Sequence, residues 1–158
     1  MVRSPFVFGR SSGFTLPELI AVIVIIGILV VVAAPKLTGS GFNEARLFNE
    51  TTAALRYAQS AALAMQRTVC VCCTSTTVAL RYLPTYGDTA CNCSTSPGLT
   101  PPGGGTAPYQ ITAQGSVTFS AFPSFYFDRL GRPSAAQTLS ITGYGTSIAV
   151  EAESGYVH

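Results

Sequence analysis

Few side chains in this chain are of the kinds that do chemistry. The sequence holds one His (His158), one Lys (Lys36) and five cysteines. The cysteines fall in two groups, Cys70, Cys72 and Cys73, then Cys91 and Cys93. The pattern C-x-C-C…C-x-C has two readings. Structural zinc sites more often use C-x2-C spacing than C-x-C, and there is no nearby His. Disulfides between the groups are therefore the expectation wherever the compartment is oxidising; they would staple an intervening Pro84–Pro108 loop to a strand. On a strand, Cys70 and Cys72 share one face and Cys73 points to the other. An odd count leaves at least one thiol over, or pairs it between chains, and the sequence leaves the connectivity open.

The remaining candidates are weaker. Asp88 and Asp128 are separated by glycine- and proline-rich chain, and Glu151 and Glu153 stand two apart on an expected strand, facing one side. Solvated turn or strand-edge acids account for both pairs better than a general acid–base couple. Gly103-Gly104-Gly105 lacks the strand and GK[ST]–helix context of a phosphate loop. His158 is the last residue given and is expected to be exposed. No catalytic residue, metal site or cofactor is expected, and the chain does not read as an enzyme. Arg129 and Arg132, beside an expected turn, are the candidates for contact with DNA or another ligand.

Composition sets the frame for these residues. The chain has 158 residues, enough for one domain, with 10% charged against 47% hydrophobic residues, which excludes charge-driven disorder. A net charge of +2 is too weak for a chain built to grip phosphate backbones. The hydrophobicity is concentrated: Leu19 to Ala34 is an unbroken run of sixteen residues without a charged or hydroxylic side chain. As a helix, Phe14 to Pro35 would be about 33 Å long, the thickness of a bilayer's hydrocarbon core. Three readings compete for it. A cleaved secretory signal would use Arg3 and Arg10 as its basic region and a small-residue site near Ala33, but the run is long and Glu18 stands at its entrance. A plain anchor would keep its basic end in the cytoplasm. The third reading turns on the string between leader and apolar run.

That string, Gly13-Phe14-Thr15-Leu16-Pro17-Glu18-Leu19, resembles the processing signature of type IV prepilins, shared by pilins and type II secretion pseudopilins. The resemblance implies that a peptidase cuts between Gly13 and Phe14, that Phe14 is N-methylated, that Glu18 is the family's fifth mature residue, and that Pro35 is a helix-kinking proline. Physics agrees independently. A carboxylate near a bilayer costs a few kcal/mol, so Glu18 needs a partner, and the freed amine of Phe14 would be one. Such a pair, within a chain or between neighbours, fixes register more than it adds stability. Removing Met1–Gly13 also removes Arg3 and Arg10, leaving seven basic residues against seven acidic ones. A neutral body argues against nucleic-acid binding by bulk electrostatics, though not against a small basic patch.

Beyond Pro35 the Thr38-Gly39-Ser40-Gly41 stretch weakens helix. Leu47, Phe48, Thr51, Leu55, Ala58, Ala62 and Met65 then recur at three- and four-residue steps, predicting an amphipathic helix over 42–67. A continuous rod from Phe14 to Met65 would span about 78 Å. The rest predicts strands: Thr68–Ala79 with Thr76–Tyr82, then Ser116–Ala121, Ser124–Phe127, Gln137–Thr142 and Ser147–Ala152, with turns at Gly131 and Gly143-Tyr144-Gly145. The Pro84–Pro108 segment, with LTPPGGGTAP, predicts an exposed, mobile excursion. Phe125, Tyr126 and Phe127 are candidates for core or subunit contact. The expected fold class is α+β and type IV pilin-like, a long hydrophobic helix packed on a small antiparallel meander.

The segment AALRYAQSAALAMQRTVCVC and the later FDRLGRPS and SGYVH are similar to minor pseudopilins of the H type (GspH- or FimT-like) and to minor pilins of the MSHA system. The resemblance implies a leader (1–13), a membrane and assembly helix (14–35), a periplasmic half-helix (36–67) and a β-rich head (68–158) with the loop at 84–108. It further implies a single-pass inner-membrane protein with a periplasmic head that joins a filament. Its partners would be other pilin subunits, the prepilin peptidase and methyltransferase, and an inner-membrane assembly platform. The small head suits an initiating or tip-proximal subunit. The rival reading is a displayed head that captures DNA or a ligand.

Overall fold

A computed structural model describes residues 14–37, 40–120 and 124–158, in two compact units divided after Thr38. The first unit contributes one helix, α1, Leu16–Leu37. Its first turn closes on Thr15, whose carbonyl accepts from the amides of Glu18 and Leu19 at 3.1 Å each. Pro17 fits there because the missing amide would have no helical partner in the first turn. The expectation of one unbroken rod to Met65 falls on Thr38 and Gly39, outside the described residues.

The second unit opens with α2, Ser40–Met65. It begins and ends two residues earlier than periodicity predicts. The stop has a local cause: Gln66 takes a left-handed φ of 52°, the Gln66 amide donates to Leu63 O, and the Arg67 amide donates back to Ala62 O. This is a Schellman-type cap with Gln in the place glycine usually takes. The predicted stripe is buried: Leu55, Ala58 and Ala62 have no exposed surface, and Leu47 is 3% exposed. Ala54 and Ala61 widen it.

Among the described residues six strands follow: β1 Val69–Cys73, β2 Thr77–Tyr82, β3 Tyr109–Thr112, β4 Phe125–Phe127, β5 Gln137–Ser140 and β6 Ser147–Val150. They form an antiparallel four-stranded sheet in the order β3-β2-β1-β4 and a separate β5-β6 hairpin. The single meander expected from sequence is thus corrected. β1, β2 and β3 do meander, but β4 pairs with the other edge of β1, through Val71 with Phe125 and Val69 with Phe127. The predicted strand at Ser116–Ala121 reduces to one bridge, Phe119 with Ile141, although its alternation is right: Val117 and Phe119 are buried. Residue 121 lies outside the described part. β3 was not foreseen.

One face of the four-stranded sheet packs on α2. Val69, Val71, Val78, Leu80 and Phe127 are fully buried there with Leu55, and Leu139 and Ile148 from the hairpin complete the same cluster. The 84–108 segment also departs from expectation. Its middle is pinned to β2: the Tyr82 amide donates to Pro97 O, the Leu99 amide to Leu80 O, and Leu99 is 5% exposed. Tyr57 on α2 donates its hydroxyl to Thr100 O at 2.8 Å. The stretches 84–87, 92–95 and 102–107 stay exposed. Burying one leucine and engaging edge amides of β2 outweighs the loop's Pro/Gly composition.

Candidate functional site

Two features concentrate the unusual chemistry: the start of α1 and the cystine face of the sheet. At the first, Glu18 is the one acid of α1, and its Oε2 accepts from the Thr15 amide at 3.5 Å. This reciprocal contact resembles half of a capping box, and the helix dipole favours the charge. Gly13 and its bond to Phe14 lie outside the described residues. Phe14 is 77% exposed and, with Leu19, Val22 and Ile23, lines a purely apolar notch on the helix.

From Leu19 to Val30 every large aliphatic side chain of α1 is about half exposed; Ile23 and Ile25 are each 57% exposed. A helix with apolar residues on all sides has no face of its own for water. Among the described residues no helix is long and apolar enough to cross a membrane. The side chains described in α1 run only from Leu16 to Val30, short of the roughly 20 residues a crossing needs. The sequence carries the apolar run on through Ala34. Pro35 falls in the last turn of α1.

At the second feature the strand period decides the cysteine chemistry. Cys70 bonds to Cys91 and Cys72 to Cys93, with Cα–Cα distances of 5.8 and 5.6 Å and the same sequence separation of 21. The two bridges stand side by side on the sheet face away from the α2 core. There Cys70, Cys72 and Leu83 form a small second core, with Ala79 and Cys91 against it. Cys73 points the other way, packs at the edge of the main core and remains a free thiol. Burial pushes that thiol well above the ordinary cysteine range. Among the described residues no three His, Cys, Asp or Glu side chains converge as metal ligands would.

The acids sit apart. Asp88 caps its own turn, its Oδ1 accepting from the Ala90 amide. Asp128 organises the turn to Arg132: Oδ1 accepts from the amides of Leu130 and Arg132, each at 2.9 Å, and Oδ2 from both Nε and Nη2 of Arg132 at 3.2 Å. Glu151 and Glu153 are not on a strand, a correction: β6 stops at Val150, and Gly155 donates back to Glu151 O to close a turn. His158 stacks on Tyr156 at 5.2 Å and lies 3.8 Å from Glu151. Its backbone pairs with Ala149, so the last residues extend the β5-β6 hairpin. The two candidate arginines differ. Arg132 is held by Asp128, whereas Arg129 stacks over the Tyr86 ring at 5.0 Å. Phe125 and Phe127 are buried core residues packed edge to face, and Tyr126 between them is half-buried.

Two positioning residues on α2 escaped the sequence reading. Arg56 donates from Nε and Nη2 to Val157 O, and Gln59 Nε2 donates to both Gly131 O and Ser154 O. They clamp the 128–132 turn and the C-terminal segment to the helix. Gly155 is required at this clamp: its φ is +67°, and a Cβ there would stand 2.1 Å from Gly131 O. A polar residue beside the buried stripe was the available signal, but its acceptors are distant carbonyls that carry no sequence mark.

Comparison with protein families matches residues 48–155 to the type II transport protein GspH family and residues 9–34 to the prokaryotic N-terminal methylation motif. No curated protein and no solved structure matches the chain.

Proposed function

This chain belongs to the type II transport protein GspH family, and we propose that within that pilin-like setting it is a minor, structural subunit assembled through its N-terminal helix. In this reading the prepilin peptidase removes residues 1–13 by cutting between Gly13 and Phe14, and Phe14 is N-methylated. The helix of residues 14–35 holds the subunit in the inner membrane. Residues 36–67 and the 68–158 head stand on the periplasmic side. An assembly platform then moves the helix from lipid into a bundle of like helices, in a type II secretion pseudopilus or a related pilus.

One observation carries the reading: α1 exposes apolar side chains around its whole circumference and has a single acid, at its first turn. Hydrocarbon or other apolar helices are the surroundings that such a surface fits. A lone carboxylate at the edge of that surface is costly unless it meets a cation. The amine freed at Phe14 would lie one turn from Glu18 in the same chain and within reach of Glu18 on a neighbour. Side-chain packing along the helices would supply cohesion, and the charge pair would set register.

The test is intact mass and N-terminal sequencing of the protein from its native membrane. The expected product starts at a methylated Phe14 and lacks the leader. Replacing Gly13 with a bulky residue should leave Met1 in place. A native protein that still begins at Met1, or one trimmed near Ala33 and released, overturns the proposal.

A further inference from the structure

We infer that the cavity beside the Asp128–Arg132 turn receives the carboxylate of an acidic side chain, presented by a partner protein next to an apolar residue. The cavity is lined by Thr68, Gly87, Thr89, Asp128, Arg129, Leu130 and Arg132. Its lining holds two guanidiniums and one carboxylate. Asp128 uses both oxygens on its own turn and on Arg132, so that pair is neutral and satisfied. Asp88, next to Gly87, turns Oδ1 to the Ala90 amide. Among the described residues no carboxylate lies within ion-pair distance of Arg129. Arg129 is therefore without a carboxylate, its Cζ over the Tyr86 ring at 5.0 Å from the centroid. A cation–π contact uses none of the guanidinium's hydrogen-bond donors, which stay available to a planar, two-oxygen acceptor.

The rim says what the acid arrives with. Leu63, Tyr86 and Leu130 are 44%, 66% and 54% exposed, among the largest exposed apolar side chains of this unit. They converge on one turn. Leu63 lies against Gly131, where a Cβ would come within 3.1 Å of its Cγ. Leu130 precedes that glycine, and Tyr86 carries Arg129. Exposed aromatic and leucine side chains gathered around an arginine are the composition of an interface core. One uncompensated charge is too little for a polyanion, whose binding rests on many phosphate contacts. A single acid flanked by an apolar side chain matches both the charge and the rim. The inference holds for whichever protein carries that acid and is independent of how α1 is used.

The test uses the full chain in detergent micelles, with the arginine side-chain Nε–Hε signals followed by NMR. The probes are acetyl-Glu-Phe-amide, acetyl-Gln-Phe-amide and inorganic phosphate at matched ionic strength. The expected result is a saturable shift of the Arg129 and Arg132 signals with the Glu peptide, about tenfold weaker with the Gln peptide; in Arg129→Gln the remaining Arg132 signal, from the same cavity, should report a similar loss. Arg129 is exposed, so its substitution leaves the fold intact; Tyr86→Ala, which removes the stacking surface, should weaken binding in the same direction. An equal response to phosphate overturns the proposal in favour of a general anion or nucleic-acid site. No response to the Glu peptide, or an undiminished one at the Arg132 signal in Arg129→Gln, also overturns it.

Discussion

The two helices among the described residues are close in length, 22 and 26 residues, and opposite in how they meet their surroundings. In α2 a stripe of alanines and leucines is buried on its own sheet, while Asn49, Ala53 and Ser60 face outward. In α1 the described aliphatic side chains are about half exposed in every direction. The contrast separates two sources of helix stability. α2 is stabilised by tertiary packing within the chain. α1 has no such partner in its own unit; under the proposed function its apolar surface is for lipid first and other helices afterwards.

Matched substitutions should break the helices' likeness most sharply. Leu55 is fully buried, and Leu55→Ala should destabilise the globular unit by about 2–5 kcal/mol. Ile25→Ala in α1 should leave the same denaturation midpoint unchanged. Urea unfolding of the full chain in mild detergent, followed by tyrosine fluorescence, checks both. Equal losses would mean that α1 is part of the same cooperative unit and would undo the contrast.

The cystine face sharpens the picture of what stabilises the globular unit. Each bridge closes a loop of similar length, and closing one such loop is worth about 3 kcal/mol in the chain-entropy account. The two bridges close almost the same loop, so their contributions should not add. Replacing Cys72 and Cys93 by Ser should cost little while Cys70–Cys91 remains. Replacing all four should cost about 3 kcal/mol and free residues 96–99 from β2, read out by denaturant midpoint and by hydrogen exchange at the Leu99 amide. Additive losses from the two pairs would show that the bridges restrain separate parts of the chain.

An acid from each helix extends the comparison at smaller energies. Glu50 pairs with Arg46 at 2.7 Å across one turn of α2, half-exposed, and Glu50→Ala should lower the denaturation midpoint only slightly, because water screens the pair. Glu18→Ala should leave the denaturation midpoint unmoved and reduce incorporation into filaments, measured by pull-out of the subunit with sheared filaments. If Glu18→Ala assembles normally, the carboxylate has only the local capping role its contact with Thr15 gives it.

How much of this was legible depended on the range of the physics involved. The start of α1 could be read because the leader, Glu18 and the apolar run are consecutive. The partition of cysteines followed from the two-residue strand period, which puts Cys70 and Cys72 opposite Cys73. The pairing did not follow, because it depends on how 84–108 folds back on β2. Val117 and Phe119 alternate as a strand would and are buried, yet only Phe119 makes a bridge, so alternation reported burial and not pairing. The sheet order was hidden for a similar reason: β4 reaches the far edge of β1 through a connection whose path no local residue marks. Arg56 and Gln59 were invisible because their partners are backbone carbonyls, which every residue has.

The smallest effect lies inside the stripe that periodicity did identify. Thr51 sits on the core face of α2 with no exposed surface, and its Oγ1 finds no hydrogen-bond partner there. A buried hydroxyl without a partner is a desolvation cost without return. Valine has nearly the same shape, no hydroxyl and about the same helix preference. Thr51→Val should therefore be neutral or stabilise by up to about 1 kcal/mol, seen as a raised denaturant midpoint with an unchanged slope. A loss of more than about 1 kcal/mol would mean that the hydroxyl is bonded in solution. The stripe on α2 would then be partly a polar contact, and its contrast with the wholly apolar α1 would be less complete than the burial pattern makes it.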